Sequence, residues 1–193
     1  IGKILKDENE FSQKISQKPQ ISGGVEFRDV SFSYEKQHPI LKNINFTVSP
    51  GETIAILGPT GSGKSTLVHL LTRFYEPTAG KICIDGVPIS DIGKKHLREN
   101  VGIVLQEPFL FNRSVKDNIS LAHKKASDKD FYDTAATAAV HSVIMKFDKK
   151  YETEVGEGGV TLSGGQKQRS AIARILIKNP PVLIFDDSLS AVD

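Results

Sequence analysis

The sequence has little cysteine and no long apolar segment. Its one cysteine, Cys83, has no partner for an internal disulfide, which fits a reducing compartment. No apolar run approaches the roughly 18 residues that span a bilayer, so we expect that the chain as given does not cross a membrane. The net charge of +2 is small, and Lys and Arg are dispersed among acidic residues. We therefore expect no nucleic-acid partner.

The composition is that of a globular protein, with 38% hydrophobic and 25% charged residues among 193, which predicts one ordinary domain. The first residue is Ile1 and the one methionine is Met145, so we expect a piece of a longer protein. Residues 1–24 are rich in Lys, Gln, Ser and Glu and close on two glycines, which is typical of a linker. The folded domain is expected over 25–193.

Hydrophobic patterns predict several strands. The stretches VEFRDVSFSY and ILKNINFTV alternate apolar and polar positions, which predicts a pair of antiparallel strands. TIAIL (53–57) and VLIF (182–185) are continuously apolar, as expected for strands covered on both faces of a parallel sheet. GKICIDG predicts a short strand ending in an Asp-Gly turn, and VGIVL (101–105) predicts another strand.

Helical spacing alternates with these strands. Apolar residues between Leu67 and Phe74 repeat at i, i+3, i+4 and i+7, on one face of a helix. A second helical region is predicted from Ser127, a capping residue, to Phe147, and a third over QKQRSAIARILI, stopped by two prolines. Together these elements predict an α/β fold: a mostly parallel sheet with flanking helices, an N-terminal antiparallel β-subdomain, and an inserted helical subdomain at about 107–165.

The stretch GPTGSGKST (58–66) matches G-x-x-x-x-G-K-[ST] between a predicted strand and a predicted helix. Its glycines let backbone amides turn toward an anion at a helix start, while Lys64 brings a full charge to the β- and γ-phosphates of a nucleotide and Ser65 offers a hydroxyl to Mg²⁺. The alternative is a glycine-rich turn that binds nothing. The predicted phosphate-binding loop comprises Gly58, Pro59, Thr60, Gly61, Ser62, Gly63, Lys64, Ser65 and Thr66.

A magnesium ion bound to nucleotide usually takes one or two carboxylates, and Asp186 at the end of the apolar stretch VLIF supplies one. The alternative interpretation is that Asp186 and Asp187 are simply two solvated carboxylates at the end of a strand. Because VLIF is so apolar, we expect this strand in the middle of the sheet, beside the phosphate-binding loop. This position favours the metal site over the solvated strand end.

LSGGQ (162–166) begins another predicted helix with a hydroxyl and two glycine amides, which makes a second anion-binding helix start. Since the chain has one phosphate-binding loop, this second start needs a phosphate from elsewhere. The alternative is that the two glycines merely cap the helix. Together with the phosphate-binding loop, this segment resembles the signature of the nucleotide-binding domain of ATP-binding cassette transporters, in the exporter branch.

The resemblance covers essentially all of residues 25–193, and it implies ATP and Mg²⁺ as ligands. It implies that Tyr34 stacks on adenine, and that Gln106 touches Mg²⁺ beside Ser65 and Asp186 and senses the γ-phosphate. It further implies that the γ-phosphate held by a second nucleotide-binding domain is capped by Ser163, Gly164, Gly165 and Gln166. The segments TEVGEGG (153–159) and SAVD (190–193) resemble those facing the membrane domain and the other nucleotide site.

Competent members of this family carry a glutamate after the metal-binding aspartate, whereas this chain has Asp187. The carboxylate is drawn back by one methylene, about 1.5 Å, so we expect ATP to be bound well and hydrolysed slowly at this site. An intact LSGGQ beside a slow site resembles one half of a heterodimeric exporter. The alternatives are a homodimer that tolerates aspartate and an engineered change.

The resemblance also implies a transmembrane domain of the same transporter as partner, and a location at the cytoplasmic face of the cell membrane. The family's switch histidine lies beyond Asp193, so the domain is expected to be truncated at its C-terminus. We expect the 193-residue piece by itself, unlike the site in the intact transporter, to bind nucleotide weakly and to turn over almost none. The alternatives are a soluble cassette ATPase, and a phosphate-loop module without turnover. A GTPase is disfavoured because no Asn-Lys-x-Asp motif occurs.

Overall fold

The computed structural model describes residues 17–35, 38–123, 126–156 and 161–186. The chain divides into two compact units, Ile1–Val101 and Gly102–Asp193. Of the helices in these described ranges, none combines the length and the apolar character that crossing a bilayer requires.

The first unit contains a four-stranded antiparallel sheet of strand order β2-β1-β3-β4. Its strands are β1 (Val25–Glu35), β2 (His38–Val48), β3 (Ala79–Ile84) and β4 (Val87–Pro88). The predicted antiparallel pair of strands is therefore confirmed. Seven residues of β1 and β3 are buried, those of β3 on both faces of the strand: Val25, Phe27, Val30, Phe32, Ile82, Cys83 and Ile84.

The predicted Asp-Gly turn joins β3 to β4. Asp85 and Gly86 both have positive φ, 48° and 80°, the backbone twist that two-residue hairpins favour. The Asp85 carboxylate accepts hydrogen bonds from the amides of Ser22, Gly23 and Gly24. The described part of the predicted linker is thus held against the first unit, while the domain boundary at Val25 stays a prediction.

The described residues of the first unit form two helices, α1 (Lys64–Leu71) and α2 (Lys94–Asn100). Leu67, Leu70 and Leu71 of α1 are buried as predicted. The expectation that Phe74 continues this face was wrong, because the helix ends before it in a left-handed cap. Arg73 has φ 54°, and the amide of Phe74 donates to the carbonyl of His69.

The predicted strand TIAIL (53–57) is not among the strands described in the first unit. A continuously apolar stretch becomes a strand only where neighbouring strands offer ladder partners. The antiparallel sheet is the one sheet found in the described residues of this unit, and the stretch pairs with none of its strands. The prediction of a strand at 53–57 was therefore wrong. The phosphate-binding loop that follows this stretch is nevertheless well formed.

The second unit holds two small sheets and four helices in its described residues. Strand β5 (Val101–Val104), which starts at the unit boundary, pairs with β8 (Val182–Phe185), and β6 (Arg113–Ser114) pairs with β7 (Glu154–Val155). The helices are α3 (Val115–Ser120), α4 (Asp128–Thr137), α5 (His141–Ile144) and α6 (Gly164–Leu176), with a 3₁₀ turn at Lys150–Glu152. Both predicted strands, at 101–105 and 182–185, are confirmed within one residue.

The helical region predicted from Ser127 to Phe147 is broken into α4 and α5. Ser127 is the N-cap of α4, as predicted, and its hydroxyl accepts from the amide of Asp130 at 3.1 Å. The break occurs where Ala139 adopts φ 54° and the amide of Val140 donates to the carbonyl of Ala135. This is the usual left-handed helix end. Glycine normally occupies such a position, and because an alanine is found here, the end of the helix could not be predicted from the residue types.

Candidate functional site

The loop over residues 58–66 folds as a tight cradle at the start of α1. Gly61 and Gly63 have φ of 82° and 94°, a region that residues with a side chain rarely adopt. A Cβ atom at Gly63 would meet Leu41 Cδ2 at 2.7 Å, and one at Gly58 would meet Ser62 Oγ at 2.7 Å. The glycines are therefore required by the backbone path of the loop.

The N-terminus of α1 has no cap of its own. Gly63 is the N-cap residue and supplies no side-chain hydrogen bond, and the first turn contains no acidic residue. The partial positive charge of the helix start is therefore not offset by a side chain of that turn. Lys64 adds a full charge there, because its Nζ lies over the loop and donates to the carbonyls of Gly58 at 2.8 Å and Pro59 at 3.0 Å.

These features fit a phosphate chain. A ligand oxygen at the start of α1 would meet the amides of a helix whose N-cap residue supplies no side-chain acceptor, and the Lys64 ammonium would exchange its two neutral carbonyl acceptors for charged ones. A Cβ atom at Gly61 would meet nothing within 4 Å, so the loop has open space on that side. The residues present therefore suit the anion that the sequence predicts for them.

Tyr34 lies beside the phosphate-binding loop. Its hydroxyl is 3.3 Å from Thr66 Oγ1, and its ring meets Phe32 and Tyr75 edge to face, with ring centres 4.8 and 5.0 Å apart. These contacts fix the ring at the end of β1, next to the first turn of α1. The structure thus brings Tyr34 and the loop together, while stacking on adenine stays a prediction.

Two arginines that the sequence did not single out hold the opposite end of α1. Arg98 donates to the carbonyls of Thr72 and Arg73, each at 3.0 Å. Arg73 is buried, and its guanidinium donates to the carbonyls of Ile89 and Ile92 at 2.9 and 2.8 Å. Positive charge at a helix C-terminus offsets its negative dipole end, so both side chains stabilise the helix that carries the loop.

The second unit places Gln106 and Asp186 after the carboxyl ends of paired strands. The amide of Asp186 donates to the carbonyl of Val104 at 3.0 Å, which keeps the end of β8 in register with β5. Gln106 follows Leu105, whose carbonyl accepts from the Gln168 side chain at 3.3 Å. An amide and a carboxylate offer the hard oxygen ligands that Mg²⁺ prefers, as does the Ser65 hydroxyl of the first unit.

No group of three or more His, Cys, Asp or Glu side chains suited to a metal occurs in the part of the chain that the structure describes. This agrees with the predicted magnesium ligands, because only one of them, Asp186, is of those four residue types. Asp187 lies outside the described residues, as do Glu157, Gly158 and Gly159 of TEVGEGG and all of SAVD (190–193). The expectations for these residues remain predictions.

The LSGGQ segment starts α6 with a complete capping box. Ser163 Oγ accepts from the amide of Gln166 at 3.3 Å, and Gln166 Oε1 accepts from the amide of Ser163 at 3.0 Å. A serine hydroxyl that accepts one bond still has its own O–H to donate. Gly164 is exposed, and a Cβ atom there would meet nothing within 4 Å. The capping box therefore leaves a hydroxyl donor and open space at this helix start.

The chain is similar in sequence to known proteins. The family model described as ABC transporter matches residues 41–190. The chain is 48% identical over 174 residues to the beta-(1-->2)glucan export ATP-binding/permease protein NdvA of Nitrobacter winogradskyi, covering 90% of this chain and 29% of that protein. It is 45% identical over 194 residues to the uncharacterized ABC transporter ATP-binding protein YfiB of Bacillus subtilis strain 168, covering 100% of this chain and 34% of that protein.

A solved structure agrees with these relatives. The structure of a bacterial Atm1-family ABC exporter with ATP bound superposes with a TM-score of 0.93 at 40% identity, covering 99% of this chain and 34% of that one. The chain therefore spans about a third of the length of the proteins that it matches.

Proposed function

The chain belongs to the ABC transporter family, as a nucleotide-binding domain of the exporter type, and we propose that it binds MgATP in order to drive export across a membrane. The fold class expected from the sequence is confirmed by the family and by the structural neighbour: a P-loop NTPase core with an N-terminal antiparallel β-subdomain and helical parts. The finer steps of binding, dimer closure and turnover are proposals.

The conformation of the phosphate-binding loop carries this proposal. Gly61 and Gly63 take left-handed backbone angles, the start of α1 has no side-chain cap, and Lys64 lies over the loop. A helix start without its own cap is stable when an anion completes it. We therefore assign Gly58 to Thr66 to the triphosphate, and Tyr34, fixed against Thr66, to the adenine ring.

The residues assigned to catalysis differ in role. Lys64 holds the β- and γ-phosphates and offsets the charge that develops on them during transfer. Gln106 senses the γ-phosphate, and the Asp187 carboxylate orients the attacking water or takes its proton. Ser65, Gln106 and Asp186 would hold Mg²⁺, which when bound neutralises phosphate charge and fixes the geometry of the phosphate chain.

The second helix start, Ser163 to Gln166, is assigned to the nucleotide of another subunit. Its capping box makes α6 stable without a ligand, whereas its exposed serine O–H and glycine amides remain able to donate to a phosphate. Two such domains arranged head to tail would each complete the other's site. ATP would then join the two domains, and hydrolysis would release them.

Because residue 187 is an aspartate, we propose that ATP is hydrolysed slowly at this chain's own site. Phosphoryl transfer depends mainly on positioning, and about 1 Å of misplacement can lower a rate by roughly 100-fold. A partner domain with a glutamate at this position would form the faster site together with this chain's LSGGQ. A heterodimer is therefore favoured over a homodimer.

The membrane partner is inferred from the relatives. Two similar proteins are named ATP-binding/permease proteins, and this chain covers 29–30% of their length. We infer a transmembrane domain that contacts this domain through the segment 153–159, and a position at the cytoplasmic face of the membrane.

The proposal is tested on the full-length protein, reconstituted in lipid. We expect it to bind ATP and hydrolyse it in the presence of magnesium. Lys64→Met should weaken ATP binding strongly, while Lys81→Met, at an exposed lysine on β3, should change nothing. Equal nucleotide binding by the wild type and Lys64→Met would contradict the assignment of the loop.

The slow-site proposal needs a separate experiment. Asp187→Glu in the full-length protein, assembled with its natural partner, should raise turnover at this chain's own site by about 10-fold or more. Turnover is assigned to each site by inactivating the other with the equivalent lysine substitution. An unchanged rate would show that the shorter side chain does not limit hydrolysis.

A further inference from the structure

Tyr34 is one of three aromatic rings that pack against one another beside the phosphate-binding loop. Its ring stands nearly perpendicular to those of Phe32 and Tyr75, at 86° and 88°, and the ring centres of Phe32 and Tyr75 lie 5.6 Å apart. Phe32 is buried, whereas Tyr34 and Tyr75 are both about half exposed. Because edge-to-face ring contacts are attractive, Tyr75 gives the exposed Tyr34 ring a second contact beside that of Phe32.

The backbone that carries Tyr75 is anchored at the end of α1. Arg73, two residues earlier, has φ of 54°, which turns the chain out of the helix. Its buried guanidinium donates to the carbonyls of Ile89 and Ile92, and its own carbonyl accepts from Arg98. A planar guanidinium can satisfy several acceptors at fixed angles, so these bonds define the path of the turn. Tyr75 therefore projects from an anchored turn.

The two tyrosines contact α1 at opposite ends. The ring centre of His69, in the last turn of the helix, lies 6.1 Å from that of Tyr75. The hydroxyl of Tyr34 lies 3.3 Å from Oγ1 of Thr66, in the first turn. The helix that carries the phosphate-binding loop at its start therefore also supports the pair formed by Tyr34 and Tyr75.

From these contacts we propose that Tyr75 is a positioning residue that acts through Tyr34 and raises the preference of the site for a nucleotide over a phosphate chain without a base. The inference rests on the proposed function, in which Tyr34 stacks on adenine and the loop holds the triphosphate. A ring that is already held loses little freedom when a base stacks on it, whereas a free ring must first be ordered. Removal of Tyr75 therefore weakens recognition of the base and leaves recognition of the phosphates unchanged.

The test titrates two probes into the full-length protein in lipid, with magnesium: a non-hydrolysable ATP analogue, and inorganic tripolyphosphate, which has no base. Tyr75→Leu should raise Kd for the analogue by about five-fold, because binding must now order the Tyr34 ring. Kd for tripolyphosphate should change by less than about two-fold, since the loop keeps its contacts. Tyr75→Met, a second variant without a ring, should show the same pattern. Tyr75→Phe keeps the ring and should stay within about two-fold for both probes.

The decisive comparison is a double-mutant cycle. Tyr75→Leu combined with Tyr34→Ala should weaken binding of the analogue no further than Tyr34→Ala alone, because the ring to be positioned is already absent. Tyr132→Leu is the matched control and should change neither Kd. Tyr132 is 45% exposed, against 44% for Tyr75, and it also packs edge to face on two rings, in the second unit. Thermal unfolding of each variant checks that the fold is retained.

Several results would overturn the inference alone: unchanged affinity for the analogue in the variants without a ring, equal losses for both probes, a loss in Tyr75→Phe as large as in Tyr75→Leu, or a further loss in the double variant. The proposed function fails in other measurements. A wild-type protein that binds neither probe would contradict the assignment of the loop. If Tyr34→Ala left the ratio of the two Kd values unchanged, the assignment of Tyr34 to adenine would be wrong.

Discussion

The chain contains two helix starts rich in glycine, and they are built in opposite ways. At α1 the N-cap residue is Gly63, in a left-handed conformation and without a side-chain hydrogen bond. At α6 the N-cap residue is Ser163, which forms a reciprocal capping box with Gln166. The first start has no side-chain acceptor from its N-cap residue, which suits an external anion, whereas the second is capped by its own side chains.

The difference indicates how each start can be used. An uncapped start with Lys64 beside it suits a ligand that stays bound within one subunit. A self-capped start is stable without a ligand, and it still presents a serine O–H and the exposed Gly164. It therefore suits a phosphate that arrives and leaves with another subunit.

Removing the Lys64 charge at the α1 start gives the largest expected effect. Lys64→Met should weaken ATP binding by about 2–3 kcal/mol, or roughly 30- to 160-fold in Kd, since charge-assisted hydrogen bonds are lost. Isothermal titration of the full-length protein measures this loss. A change below about three-fold would contradict the comparison, because the two helix starts would then be equivalent.

Adding a methyl group to each start separates them by stability. Gly63→Ala should lower the free energy of unfolding by about 1–3 kcal/mol, because φ is 94° and the Cβ would meet Leu41 Cδ2 at 2.7 Å. Gly164→Ala, with open space around the new atom, should stay within about 0.5 kcal/mol of the wild type. Urea unfolding followed by circular dichroism gives both values. Equal losses in the free energy of unfolding would contradict the distinction between the two helix starts.

The capping box predicts a third, smaller effect. Ser163→Ala should cost about 1 kcal/mol in the free energy of unfolding, because α6 loses its N-cap acceptor. Ser163→Asp should restore that stability, since its carboxylate still accepts from the Gln166 amide, but ATP turnover should stay low because the O–H donor is replaced by a negative charge. If Ser163→Asp recovered both stability and turnover, the serine would act only as a cap.

Substitution of Tyr34, which lies next to the α1 start, should give the smallest effect. Tyr34→Phe removes a single hydroxyl contact to Thr66, of 3.3 Å, and keeps the ring. We expect about 0.5 kcal/mol or less in stability and no change in nucleotide affinity beyond about two-fold. A large loss of affinity on nucleotide titration would show that the hydroxyl, and not the ring, makes the contact that matters.

Local rules predicted much of the fold. The alternating stretches became β1 and β2, the Asp85-Gly86 pair became a hairpin turn, and Ser127 became an N-cap. These features depend on a few neighbouring residues, which the sequence displays directly. The phosphate-binding loop belongs to the same class, because its glycines are needed by local backbone geometry.

Features that depend on distant partners could not be predicted. Ala139 ends α4 in a position where glycine is expected, since the burial of Val140 against the helical core outweighs local preference. The hydrogen bonds from Gln168 and Arg174 to residues on either side of Gln106 cross more than sixty positions of sequence. No spacing rule indicates such contacts, so helical periodicity alone placed these side chains on α6 without a role.

Hydrogen–deuterium exchange of the backbone amides at the two helix starts tests the central claim most directly. The full-length protein would be compared with and without magnesium and a non-hydrolysable ATP analogue, once at low nucleotide and once at saturation. We predict that Gly61 to Thr66 gain protection first, while Gly164 and Gly165 gain it only when two domains close. Protection at Gly164 and Gly165 with none at Gly61 to Thr66 would contradict the account.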